Sequence, residues 1–127
     1  MAKAPAEPKR QMSLDNLRPE FAAKVRLLLA AMRARQYDPV VFESIRTVER
    51  QAWLWGVGRT HSLKRKPVSW WAPPFSKAPH VRGRGVDIIS KSTHWGNPKF
   101  FLALKQEARK LRLRTISKEG CHVEWRG

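Results

Sequence analysis

The chain has 127 residues, 42% of them hydrophobic, which suits one compact core and leaves no room for two domains. Its longest apolar run, Leu27 to Met32, falls far short of the roughly 20 residues a bilayer span needs, and a single cysteine, Cys121, excludes a disulfide framework or a Cys-rich zinc module. Lys and Arg total 26 against 10 acids, a net +16, so polyanions are the expected partners: nucleic acid, acidic lipid or a bacterial envelope.

Residues 1–12 mix Lys3, Lys9 and Arg10 with prolines and carry no apolar stretch, so a flexible basic tail is expected there, not a secretory signal. That assigns the folded domain to 13–127. Pro19 suits the first turn of a helix, and Phe21, Val25, Leu28, Leu29 and Met32 give it one apolar face until the break near Gln36. Residues 40–46 read as a strand, and Thr47 caps a second helix that stops near Gly58. Residues 59–79 form a long loop with Trp70-Trp71 and Pro73-Pro74. A strand follows over 84–90, then a helix behind Asn97-Pro98. Two last strands flank a break near Gly120 and can pair as a hairpin. Helices packed on a hairpin-joined sheet make an α+β domain.

Residues 51–127 hold 16 Lys or Arg but only four acids, Asp87, Glu107, Glu119 and Glu124, so each carboxylate is a candidate for a specific task. His80 and Asp87 are separated by a segment containing Gly83 and Gly85, and converge if a turn folds back into a strand. Glu119 precedes His122 by three residues. His80, Asp87 and His122 thus offer three N/O ligands with a fourth position open, the pattern of catalytic zinc. Glu119 would stand beside the metal and move protons between the attacking water and the leaving amine. The competing reading keeps ordinary surface histidines, with Asp87 as a turn or salt-bridge partner.

These segments resemble the zinc D,D-peptidase family, the VanY-like carboxypeptidases and their phage endolysin relatives. The family's Ser-x-His-x-x-Gly-x-Ala-x-Asp stands here as Ala78-Pro79-His80-Val81-Arg82-Gly83-Arg84-Gly85-Val86-Asp87, with Ala78 for the usual Ser and Gly85 for the usual Ala. Glu119-x-x-His122-Val123-Glu124 fits the second motif. Arg46-Thr47 with Gln51 fits a third, and Leu54-Trp55-Gly56-Val57-Gly58-Arg59-Thr60 is similar to an endolysin stretch. Together they span residues 43–125. The resemblance implies a small α+β domain of the Hedgehog/D,D-peptidase-like kind, with one Zn²⁺ at the antiparallel sheet. It implies that His80, Asp87 and His122 bind the metal, that Glu119 is the general base and acid, that Arg46 steadies the oxyanion and that Gln51 supports that wall.

The expected activity is hydrolysis of a peptide bond in the peptidoglycan stem. An L-Ala-D-Glu endopeptidase acting as a phage endolysin is the first choice, and a D-Ala-D-Ala carboxypeptidase the second. Peptidoglycan is the expected partner, with the positive charge drawing the chain to the anionic envelope; no partner protein and no membrane span are implied, and a monomer is expected. Such an enzyme would wait in the host cytoplasm before reaching the wall. Among the remaining residues, Arg46 can also be a structural ion pair, and Glu124 either bonds a ligand histidine or is solvated. His61 and His94 are expected at the surface, Cys121 in the core, and Trp53, Trp55 and Trp125 in packing. Trp70 and Trp71 are candidate substrate contacts. The rival from another class is a basic nucleic-acid-binding protein or small metal nuclease, hinted at by His94-Trp95 with Asn97.

Overall fold

A computed structural model describes residues 5–117 and 119–127; the first four residues of the expected tail lie outside them. The elements run α1 (Pro19–Ala34), β1 (Pro39–Glu43), α2 (Val48–Gly56), β2 (Gly85–Ser90), α3 (Pro98–Lys110), β3 (Arg114–Ile116) and β4 (Glu119–Glu124), with a single 3₁₀ turn at Phe75–Lys77 inside the long loop. The strands form one antiparallel sheet in the order β1-β2-β4-β3. No helix among the described residues is long and apolar enough to cross a membrane.

The apolar face of α1 lies against the sheet: Phe21, Val25, Leu28 and Met32 are fully buried. Phe100 and Leu104 of α3 join them, over Val86 and Ile88 of β2 and Val123 of β4. Burying each such side chain contributes about 1.5–3 kcal/mol. Because side chains alternate along a strand, the residues between these core positions point to the other face. Asp87 and His122 are those residues, and they stand directly opposite each other in the β2–β4 ladder.

Helix starts follow the sequence. Pro19 opens α1, the Thr47 side chain accepts from the Arg50 N–H, and the Asn97 side chain accepts from the Lys99 N–H at the start of α3. Asn97 is therefore a helix cap, which gives the nuclease-like hint a structural explanation. Two boundaries differ from expectation. Strand β1 ends at Glu43, after a bulge at Phe42 that lets Glu43 face Asp87, and Ser44–Arg46 leave the sheet. The expected break near Gly120 lies inside β4, which begins at Glu119.

Residues 5–12 have neither helix nor strand, yet they are tied down. Gln11 O accepts from Ser44 N at 2.8 Å, Pro8 O accepts from Arg50 Nη1 at 2.8 Å, and Pro5 O accepts from Trp53 Nε1 at 2.7 Å. The chemistry of this segment explains the contacts: its carbonyls accept from the backbone N–H of Ser44, just past β1, and from side-chain N–H groups that α2 presents on Arg50 and Trp53.

Gly83 closes the turn that leads from His80 into β2. Its φ is +68°, and a Cβ there would approach Arg18 N to 3.3 Å. Gly83→Ala is expected to destabilise the fold by about 1–2 kcal/mol, the cost of holding an L-residue in the left-handed region. Thermal unfolding of the purified variant measures this, and an unchanged midpoint would show that the turn relaxes.

Candidate metal centre and its cleft

His80 sits in the turn over 79–83 and is latched to the segment after β1. Its Nδ1 pairs with Ser44 O at 2.8 Å, and its own carbonyl accepts from Arg46 N at 3.0 Å. The Nδ1–H is thereby committed to a carbonyl, which turns Nε2 toward Asp87. His122 is oriented the other way round: Nε2 meets Glu124 Oε1 at 3.1 Å, and Nδ1 faces Asp87. Both ring nitrogens stand 3.3 Å from Asp87 Oδ1. One atom from each of the three side chains lies within 4.8 Å of the others.

The donor set fits a tetrahedral divalent ion. Ligand atoms held at about 2.0–2.1 Å from zinc sit about 3.3 Å apart along a tetrahedral edge. Each histidine also has its other nitrogen bound to an acceptor, the arrangement that orients ligating imidazoles. The local charge agrees. In a chain of net +16, Asp87, Glu119 and Glu124 gather around two histidines. Burial pushes the Asp87 carboxyl up, but His80 and His122 hold it well below the usual aspartate value. Burial pulls the His122 imidazole down, and the bonds to Asp87 and Glu124 outweigh it and raise it to about 9. The pocket is built for positive charge.

Glu119 stands next to this trio without joining it. Its Oε2 is 3.8 Å from His122 Nδ1, beyond hydrogen-bond reach. Burial raises its carboxyl above the usual value, His122 opposes this, and Asp87 adds to it. Cys121, expected in the core, is instead half-buried on the cleft beside His122, with burial pushing its thiol up to about 12, which disfavours the thiolate.

Arg46 enters from the other side. Its Nε and Nη2 donate to Glu43 at 3.2 and 2.8 Å, and Nη1 donates to Gln51 Oε1 at 2.7 Å. Each Nη carries a second N–H beyond those bonds, and Nη2 is 3.8 Å from Asp87 Oδ2. Gln51, buried at 1% exposure, passes the contact on: its Nε2 donates to Ser69 Oγ at 2.9 Å and to Trp71 O at 3.5 Å. It therefore fixes both Arg46 and the loop that carries Trp70 and Trp71.

The centre opens into one cleft of about 660 Å³. The sequence nominates His80, Asp87, His122, Glu119, Arg46, Gln51, Trp70 and Trp71, and all eight border it. It missed Glu43, Phe42, Trp95 and Arg10. Glu43 is 2% exposed and pairs with both Arg46 and Arg50. Burial pushes its carboxyl up, and the two guanidiniums hold it below the usual glutamate value. A lone acid before Ser44-Ile45-Arg46 was the available signal. All three tryptophans expected in packing are half-buried: Trp125 packs on the core, whereas Trp53 lines the cleft. Glu124 does bond the histidine. His61 is not a free surface group, since its ring stacks on Trp53 at 4.7 Å.

No protein-family model matches the chain. No curated protein matches it either. Solved structures do. The Serratia marcescens L-Ala D-Glu endopeptidase ChiX is 19% identical with a TM-score of 0.56, covering 89% of this chain and 83% of its own. VanYB, in complex with D-alanine-D-alanine, is 20% identical with a TM-score of 0.66, covering 98% of this chain and 82% of its own. The chain has the VanY fold. A vancomycin resistance D,D-pentapeptidase VanY from a VanB-type resistance cassette, in complex with Zn(II), agrees: 20% identity, a TM-score of 0.65, and 98% and 83% of the two chains. Within the VanY fold, this chain's centre lies on the sheet face that α1 and α3 leave open.

Proposed function

We propose that the chain is a zinc peptidase that hydrolyses a peptide bond in the stem of bacterial peptidoglycan. The observation that carries the reading is the convergence, in one cleft, of a two-histidine, one-aspartate ligand set with an uncommitted carboxylate and an anchored arginine. The fold neighbours support it: one is an L-Ala D-Glu endopeptidase and another is held with D-alanine-D-alanine.

In this reading His80, Asp87 and His122 hold the ion. Zinc, when bound, supplies a Lewis acid that lowers the pKa of water and polarises a carbonyl. Glu119 takes the proton of the attacking water and delivers it to the departing amine. The second N–H groups of Arg46 donate to the oxyanion, with Glu43 and Gln51 holding the guanidinium in place. Trp70 and Trp71, 56% and 40% exposed at the cleft mouth, present ring faces to substrate.

The finer reading is an L-Ala-D-Glu endopeptidase of the phage endolysin type, carried by the Gly58-Arg59-Thr60 segment. Arg59 spans Trp55 at 3.5 Å and donates to Ser69 O at 2.9 Å, so that segment shapes the Trp70–Trp71 loop. A D-Ala-D-Ala carboxypeptidase is the second reading, favoured by the neighbour bound to that dipeptide. The +16 charge then draws the enzyme to the anionic wall after it leaves the host cytoplasm. Incubation with purified peptidoglycan, with and without chelator, is the test. Metal-dependent clearing with new D-glutamate amino termini is the expected result. Free D-alanine without clearing transfers the assignment to the carboxypeptidase. No product of either kind with zinc bound overturns the peptidase reading, and salt-sensitive DNA nicking that survives loss of His80 would replace it.

A further inference from the structure

We propose that Arg10 anchors a carboxylate of the substrate, and that the segment over residues 5–12 is a wall of the cleft built to present it. This rests on the peptidase reading above for the identity of the ligand.

Four arginines line the cleft: Arg10, Arg46, Arg50 and Arg65. Two are committed. Arg46 is held by Glu43 and Gln51, and Arg50 by Glu43 and Glu7. Arg65 is exposed on the loop. Arg10 differs from all three. Its guanidinium lies 3.8 Å from the centre of the Phe42 ring, and its only hydrogen bond among the described residues is Nη2 to Met12 Sδ at 3.9 Å. Its Nε is shut off from solvent and has no partner among the described residues, so it is not the atom a ligand reaches. The Nη N–H groups, held among the described residues only by a thioether, are the donors left for a ligand oxygen.

The platform beneath it is fixed. Phe42 meets Trp95 edge to face at 4.7 Å, and the bulge in β1 sets Phe42. The backbone that carries Arg10 is pinned on both sides, by Gln11 O to Ser44 N and by Pro8 O to Arg50. Ser44 in turn holds His80 through its carbonyl, so the position of Arg10 is geared to that of the metal ligands. Glu7, the acid nearest in sequence, is 2.9 Å from Arg50 Nη1 and is spent there. A planar fork of donors over an apolar ring, at the border of a peptide-sized cleft, is matched by a carboxylate. A stem peptide with lysine at its third position, the kind used in the test, supplies that group in two places: the free carboxylate of the glutamate branch and the carboxyl terminus.

The test uses the zinc-loaded full chain and a stem pentapeptide in three forms: free, amidated at the glutamate branch, and amidated at the carboxyl terminus. Steady-state KM and kcat are read on wild type, Arg10→Gln and Arg10→Lys, and calorimetric Kd on the same proteins carrying Glu119→Gln. Arg10→Gln is expected to raise KM and Kd for the free peptide about ten- to hundredfold, the worth of a charge-assisted bond. It should leave kcat within about threefold, with Arg10→Lys between the two, since a point charge keeps attraction but not the fork. For one of the amidated peptides the difference between wild type and Arg10→Gln should vanish, which names the carboxylate. A uniform change across all three peptides, no change on any, or a wild type that binds none of them overturns the proposal. Wild type that binds in this pattern but cleaves nothing defeats the peptidase reading alone. Wild type that cleaves while Arg10→Gln is silent defeats the Arg10 assignment alone.

Discussion

Glu119→Gln is expected to abolish peptidoglycan hydrolysis, by about 10²–10⁴-fold, while the protein still binds one zinc ion per chain. The separation of the two effects follows from geometry. Glu119 Oε2 stays 3.8 Å from His122 Nδ1 and outside the trio of His80, Asp87 and His122, so neutralising it removes a proton carrier and no ligand. Its partial burial raises its carboxyl above the ordinary glutamate value, which brings it toward the range where a base can both accept and release a proton. Turbidity of purified walls gives the activity, and elemental analysis of the dialysed protein gives the metal. Loss of zinc together with activity would make Glu119 a ligand. Retained clearing would mean that another group moves the proton.

The largest effect on stability is expected at Glu43. Its carboxylate bridges Arg46 and Arg50, all three groups being buried. Glu43→Ala takes from both guanidiniums the carboxylate they share, leaving Arg50 with the half-exposed Glu7 and Arg46 with Asp87 at 3.8 Å; breaking a buried pair costs about 3–5 kcal/mol. Arg46 also loses the partner of its Nε and Nη2, so it no longer holds one orientation at the oxyanion position, where a misplaced donor costs about 10²–10³ in kcat. Zinc binding should survive, because Glu43 meets the ligand Asp87 as its backbone partner in the β1–β2 ladder, while its carboxylate bonds Arg46 and Arg50. Glu43→Gln, which keeps the shape and one acceptor, should fall between wild type and Glu43→Ala on both scales. Denaturant unfolding and steady-state kinetics on the two variants test this. An unaltered unfolding midpoint for Glu43→Ala would show that water or Glu7 takes over the arginines.

The grouping of His80, Asp87 and His122 was more legible in the sequence than its support. With Glu119, they stood out because carboxylates are scarce in a basic chain, and the resemblance to the D,D-peptidase motifs favoured them over ordinary surface histidines. Helices α1 and α3 were legible from apolar spacing, and their starts from Pro19, Thr47 and Asn97. Glu43 was not, since one acid ahead of an arginine is common and only the bulge at Phe42 reveals that it turns inward. Arg10 was invisible for a different reason. A proline- and lysine-containing leader reads as solvated chain, and nothing local shows that its carbonyls dock on Ser44, Arg50 and Trp53. The start of β4 was misplaced because Gly120 reads as a break, whereas a Cβ there would meet Phe101 at 3.4 Å and the strand simply has little space.

The pairing of β2 with β4 has a consequence for how this chain can change. Asp87 and His122 are cross-strand partners, so the spacing of two ligand atoms is a property of strand alignment and not of any loop. Side chains repeat every second residue, and sliding either strand by one position would turn Asp87 or His122 into the apolar layer beneath. A single-residue insertion or deletion within Gly85–Asp87 or His122–Glu124 is thus a frameshift of the site, with no partial outcome. The stretch over 59–74 is anchored at Ser69 and Trp71 but carries no ligand, and can lengthen, shorten or exchange its aromatic residues while the metal geometry stays fixed. If the proposed function holds, a change of substrate preference through that stretch would leave the metal geometry in place.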